Sequence, residues 1–263
     1  LLDTIYNNIY SLIIGKFYTA ADLGYYNRGK QFPILIVQNV NTTIDSVLFP
    51  VMSEVQQDKE KLKGIVRRSI TTSTFVIFPL MAGLVGIAKP LTLLLLTEKW
   101  LPAVPFIRFC CFTYAFWPIH TANLQAIKAV GRSDIFLKLE IAKKIIGVLG
   151  LCISIPFGLY TMMWVRCLTT IISSFINAFP NKKLLGYSYW EQVKDMLPSF
   201  VLSIVMCGII TGFNFLPIHS IWTLLIQITV GVIVYIGAAK LFKLEHFDYI
   251  LNTIKDIIKG RKK

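Results

Sequence analysis

The sequence predicts an all-α, polytopic membrane protein of about eight transmembrane helices, and three observations predict it. Of the 263 residues, 55% are hydrophobic and 16% charged, whereas a soluble domain has about a quarter charged and under half apolar. Mean hydropathy is +0.62. Apolar runs of about twenty residues, each long enough to cross the bilayer core, recur along the whole chain.

Span one covers Leu1 to about Tyr18 and carries Asp3, Asn7 and Asn8. Span two, about Gln31 to Ser53, is the most polar, with Gln38, Asn39, Asn41 and Asp45 between Pro33 and Pro50. A hydrophilic link follows, Glu54 to Arg68, and then span three, Ile70 to about Ala88. After Pro90 the piece Leu91–Leu96 is too short to cross and is expected at the interface, with Trp100 as a headgroup-level anchor.

Span four runs from about Ala103 to Val130 and span five from about Ile135 to Ile155. Pro156-Phe157-Gly158 forms a tight connection to span six, Leu159–Phe179, which Pro180 closes. After a polar link come span seven, Leu197–Phe215, and span eight, Ile221–Leu241. The tail from Leu244 spaces Phe247, Leu251, Ile254 and Ile258 as an amphipathic surface helix, with Lys255 and Lys259 facing headgroups.

Basic residues set the orientation. The links after even-numbered spans and the tail hold 18 of the 27 lysines and arginines, the links after spans one and three with their flanks hold 6, and Lys143, Lys144 and Arg166 lie within spans. This bias places the C-terminus in the cytoplasm. It also accounts for the net charge of +13 through anionic headgroups, so membrane lipids, not nucleic acid, are the expected partner. Leu1 in place of Met, with no cleavable signal before the first apolar run, is read as the start of a fragment.

Polar groups inside a bilayer are expensive, about 2.5–3.5 kcal/mol for a charge at mid-helix, so each marks a candidate site. Arg166, near the middle of span six, needs an anionic partner, either Asp45 within the protein or a phosphate or acidic sugar of a ligand. Gln38, Asn41 and Asp45 fall at i, i+3 and i+7 on one helical face, and Asn7 with its neighbours suggests a second polar face. Two consecutive striped helices are expected to line an aqueous cavity, with polar glue between helices as the alternative.

Glu140, Lys143 and Lys144 stand at i, i+3 and i+4, so the glutamate neutralises one lysine and leaves one positive charge, for the cavity or for snorkelling to headgroups. His120 is read as a candidate coupling-ion residue beside Asp45, or as a hydrogen-bonded packing histidine. The five cysteines, Cys110, Cys111, Cys152, Cys167 and Cys207, all lie in apolar runs without CxxC or histidine pairing, so neither a metal nor a disulfide is expected. No P-loop, H-E-x-x-H or G-x-S-x-G occurs. The chain is therefore read as no enzyme, with no catalytic residues and no cofactor.

Gly24-Tyr25-Tyr26-Asn27-Arg28-Gly29, Leu48-Phe49-Pro50-Val51-Met52-Ser53 with Gln56-Gln57-Asp58, Lys99-Trp100, and Ala129-Val130-Gly131-Arg132-Ser133-Asp134-Ile135-Phe136-Leu137-Lys138 together resemble the polysaccharide transporter family. These are the Wzx-like oligosaccharide and O-antigen flippases of the MOP superfamily, and the resemblance covers essentially the whole chain. Thr97-Glu98 departs from it where a glycine is expected.

The resemblance implies a fourteen-span bacterial inner-membrane protein with two six-helix lobes around a central cavity. This chain would then supply the second lobe (1–180), two additional helices (181–243) and the basic tail (244–263). It implies a lipid-linked oligosaccharide as substrate, moved across the cytoplasmic membrane for O-antigen, exopolysaccharide or capsule synthesis. Implied partners are the missing N-terminal lobe and membrane lipids, with a polymerase and glycosyltransferases as further candidates. Alternatives are a MATE-type small-molecule exporter, which should carry acidic cation sites, and a non-transport membrane scaffold, which would need no polar stripes.

Overall fold

The computed structural model describes residues 2–215 and 219–242, without the side chains of 2–7 and 43–47. Among the described residues there is no strand. The expected Asn7 and Asp45 side chains, and the tail from residue 244, lie outside what is described. Ten helices follow in order: α1 (Leu2–Phe17), α2 (Ala20–Glu54), α3 (Lys59–Leu95), α4 (Val104–Ala115), α5 (Trp117–Ala129), α6 (Ser133–Ser154), α7 (Leu159–Ala178), α8 (Asn181–Leu185), α9 (Tyr189–Gly212) and α10 (Ser220–Leu241).

Several helices outrun the apolar segments that announce them. α2 begins eleven residues before the expected span, because Thr19 and Asp22 form a capping box in which each side chain accepts the other residue's backbone N–H. α9 begins with the same device, Ser188 paired with Glu191. α3 is capped by Asp58, whose carboxylate accepts the Lys61 N–H at 3.1 Å. That backbone hydrogen bond holds the Asp58 carboxyl below the usual carboxylate range. At about 1.5 Å per residue, the 37 residues of α3 reach roughly 55 Å, well beyond an apolar core about 30 Å thick.

The segment Leu91–Leu96 is not a separate piece: α3 continues through Pro79 and Pro90 to Leu95. Each proline lacks the N–H that would serve the carbonyl four residues earlier. Both orphaned carbonyls are recovered from other helices. The Tyr235 hydroxyl of α10 donates to the Phe75 carbonyl at 2.8 Å. The Asn214 amide donates to the Gly86 carbonyl at 3.0 Å, and Gln227 of α10 donates in turn to Asn214 at 3.1 Å. Gly86 admits this approach, since a Cβ there would stand 2.5 Å from the Ile210 side chain.

The single expected span Ala103–Val130 is two helices, α4 and α5, broken at Phe116. Pro118 cannot serve the Tyr114 carbonyl, which accepts the Phe116 N–H instead. Gly29 of the family-like stretch has a packing reason: a Cβ would lie 2.6 Å from Phe106 Cβ and 2.9 Å from the Ile107 nitrogen, so α2 and α4 touch backbone to backbone. Thr97, where the resemblance calls for glycine, is the one described non-glycine residue with positive φ, at 81°.

Four stretches are long and apolar enough to cross a membrane by themselves: Lys59–Leu95, Leu159–Leu185, Tyr189–Phe215 and Ser220–Leu241. The expected count of about eight also includes α1, α2, α4 with α5, and α6. These are shorter or carry the polar residues that the fold gathers inward. A fully buried amide cluster ties the two groups together. Asn123 of α5 and Gln192 of α9 exchange hydrogen bonds at 2.8 and 3.0 Å, and the Asn181 amide donates to Asn123 Oδ1 at 2.6 Å.

Two outcomes test these local accounts. Tyr235→Phe orphans the Phe75 carbonyl in an apolar setting and should destabilise the protein by about 1–3 kcal/mol. Pro79→Ala in the same chain should return part of this by restoring a backbone donor, seen as a partial recovery of the melting temperature in detergent. Thr97→Gly should raise that temperature, because backbone strain of about 1–3 kcal/mol is relieved at a positive φ.

Candidate functional site

α1, α2, α4, α5, α6 and α7 line an open cavity of about 500 Å³ that gathers charged and polar side chains. Its basic residues are Lys30, Lys143, Lys144 and Arg166, and among the described lining residues Glu140 is the one acid. Each comes from a helix that must turn a polar stripe away from lipid. Because α2 starts at Ala20, its cavity face runs Lys30, Ile34, Gln38 at successive four-residue steps. α6 contributes Glu140, Lys143 and Lys144, and α7 contributes Arg166, Thr169, Thr170 and Ser173.

Arg166 is held by tyrosines. Its guanidinium donates to the Tyr26 hydroxyl and lies 4.7 Å from the centre of the Tyr10 ring, 5.8 Å from Tyr114 and 5.9 Å from Tyr26. The quadrupoles of the rings stabilise the cation without neutralising it. The expected intramolecular partner, Asp45, lies where side chains are not described. The tyrosine cage is the environment that the sequence does not disclose, since its members come from three different helices.

Lys143 pairs with Glu140, as the i, i+3 spacing predicts. His120 lines the cavity and bonds through Nδ1 to the Asn177 amide at 2.9 Å, so it is both a cavity residue and a hydrogen-bonded one. Gln38 lines the cavity as expected. Asn41 does not: it is 4% exposed and its amide donates to Thr121 of α5 at 2.8 Å. A three-residue step turns a helix by about 60° from a whole turn, enough to move Asn41 from the cavity wall to the α2–α5 contact. Lys30 was absent from the expected set because span two was begun at Gln31. Continuing the four-residue steps back from Gln38 towards the Thr19–Asp22 cap reaches it.

A second cavity of about 410 Å³ lies between α3, α9 and α10, with Ile36 of α2 at its edge. Leu80, Gly83, Met206, Ile228 and Val232 are among its lining, and it offers almost nothing polar beyond Gln227 and Tyr235.

Three comparisons connect this geometry to known proteins. Residues 1–105 match the family described as polysaccharide biosynthesis protein. Teichuronic acid biosynthesis protein TuaB of Bacillus subtilis (strain 168) is 23% identical over 241 residues, covering 90% of this chain and 50% of TuaB. Lipopolysaccharide biosynthesis protein WzxC of Escherichia coli (strain K12) is 23% identical over 212 residues, 78% of this chain and 42% of WzxC. The fold matches the lipid II flippase MurJ in its inward closed conformation with a TM-score of 0.74 at 17% identity, over 90% of this chain and 51% of MurJ. The chain therefore spans about half the length of the proteins it matches.

The division between cavity wall and helix contact can be measured by cysteine labelling in a Cys152→Ala, Cys207→Ala background. Gln38→Cys in the full-length protein should react with a small hydrophilic maleimide in membranes, and Asn41→Cys should stay unreactive until the protein is denatured. Equal reactivity would contradict the assignment.

Proposed function

We propose that this relative of the polysaccharide biosynthesis proteins is the C-terminal part of a multi-pass flippase that moves a lipid-linked oligosaccharide across the bacterial cytoplasmic membrane. The observation that carries the reading is the cavity: four basic side chains and one acid among its described lining residues, walled by helices, in a chain with the MurJ fold. A diphosphate linking lipid to sugar is the dianion that such a site would neutralise, and Lys30 with the tyrosine-held Arg166 is the pair assigned to it. The apolar cavity between α3 and α10 is suited to a prenyl chain, while Tyr10, Tyr114 and Trp117 offer ring faces to sugars.

In this reading residues 1–180 are the second lobe of the transporter, and 181–243 are an additional pair of helices. The C-terminus is cytoplasmic, and the first lobe closes the far side of the cavity. Transport then proceeds by rocking one lobe against the other, with Asp45 and His120 as candidates for coupling an ion. The cationic lining is the reverse of what an exporter of cationic small molecules needs, which favours the sugar-lipid substrate.

The test is complementation of a flippase-deficient strain by the full-length gene. Surface polymer should return and accumulated lipid-linked precursor should fall. Arg166→Gln and Asp45→Asn should keep normal membrane levels and lose the polymer. If both variants lose protein and activity in parallel, these residues serve folding and not transport.

A further inference from the structure

We propose that α7 reads the sugar joined directly to the diphosphate: Thr169 and Thr170, one helical turn beyond Arg166, accept hydrogen bonds from two of its hydroxyls. This rests on the flippase reading above. The first observation is register. α2 keeps in step with α4 and α5 at a separation of 80 residues, set by the Asn41–Thr121 hydrogen bond and repeated by the Tyr26–Phe106 ring contact. α5 keeps in step with α7 at 57, set by His120 and Asn177. The lining of the cavity therefore falls into levels one turn apart, about 5.4 Å. Lys30 stands with Arg166, Ile34 with Tyr114, Thr169 and Thr170, and Gln38 with Trp117 and Ser173. On α2 and α7 the described lining begins at Lys30 and Arg166 and continues only in this direction. A sugar bonded to a diphosphate at the first level therefore lies at the second.

The second observation is the chemistry of that level. The hydroxyls of Thr169 and Thr170 donate their hydrogens to the Arg166 carbonyl at 3.0 and 2.9 Å. With each proton committed, the oxygen lone pairs that remain can only accept. Among the described residues no side chain donates to either oxygen. Such back-bonding is ordinary for threonine inside a helix. What is particular is its place: two neighbouring acceptors lie on the cavity wall, directly after the residue assigned to the diphosphate. A sugar that presents two ring hydroxyls supplies both donors.

The third observation is the apolar surface beside the hydroxyls. Ile34 and Tyr114 line the same level. The Tyr114 ring lies 5.8 Å from the Arg166 guanidinium and stacks on Trp117 at 5.6 Å. An aromatic column thus runs from the cation to the level of Ser173. A pyranose has hydroxyls along its edge and C–H groups on its faces, and this wall offers acceptors to the first and apolar surface to the second.

The experiment is binding to the purified full-length protein, comparing geranylgeranyl diphosphate with the same diphosphate carrying one glucose. The glucosyl compound should bind roughly tenfold more tightly, the worth of two neutral hydrogen bonds. Thr169→Val with Thr170→Val removes both acceptors and keeps the branched shape. It should abolish the gain and leave the affinity for the bare diphosphate unchanged, which also shows that the variant is folded. Thr169→Ser with Thr170→Ser should retain the gain. Thr169→Val or Thr170→Val alone should lose about threefold of it, one hydrogen bond's share, so the test does not depend on the double variant folding. A gain that survives the valine substitutions, or equal affinity of the wild-type protein for the two compounds, overturns the first-sugar proposal and leaves the flippase reading standing. Failure of the folded wild-type protein to bind either compound overturns the flippase reading itself, and the proposal with it.

Discussion

Inside a bilayer a backbone carbonyl that loses its helical donor has no water to turn to, and the arrangement of this protein follows from that constraint. Pro79 and Pro90 strip donors from Phe75 and Gly86 in the longest helix, and Tyr235 and Asn214 replace them. α9 and α10 are thus fixed on α3 by directional bonds, in addition to van der Waals packing. Glycine supplies the space where the contact is tightest, as Gly86 does under Ile210. Away from the apolar cavity the exposed face of α10 is apolar as well, with Ile221, Trp222, Leu225 and Ile233 along it.

The same constraint sorts the polar side chains. Those that find complementary partners within the protein become structural: the Asn123–Gln192–Asn181 cluster is fully buried and joins α5, α8 and α9. Arg166 lines the cavity, where among the described residues it rests against three tyrosine rings and donates to the Tyr26 hydroxyl. Ring quadrupoles and a hydroxyl steady the guanidinium without adding a countercharge of their own. At the ends of α3 and α9, outside the apolar part of either helix, polarity is settled by ordinary ion pairs. Arg67 meets Asp195 at 2.7 Å and Lys63 meets Glu191 at 3.4 Å, and Tyr187 also donates to Asp195.

Much of this was legible in the sequence. Hydropathy gave the membrane class and the helical content, and the rule that polar groups inside a bilayer mark a site led to Arg166, Lys143, Lys144, Gln38 and His120, all of which line one cavity. Helix ends were less legible, because an apolar window stops where charges begin, whereas α2 and α9 run on to their capping boxes. That is why Lys30 was missed although Thr19 and Asp22 announced the earlier start. Asn41, read on one stripe with Gln38, sits at the α2–α5 contact, because a helical face is broad enough to meet both a cavity and a neighbour. The pairing of Pro79 with Tyr235, 160 residues apart, and the gathering of Tyr10, Tyr26 and Tyr114 are long-range facts that no local pattern encodes.

α3 packs against α2, α4 and α5 and also against α9 and α10. Its polar bonds to the α9–α10 region are spread from Arg67 and Asp195 near one end to Gly86 and Asn214 towards the other. A rod pinned at several heights does not pivot about its pins. Any tilt of α3 is therefore shared by α9 and α10, which travel with it as passengers on a single lever.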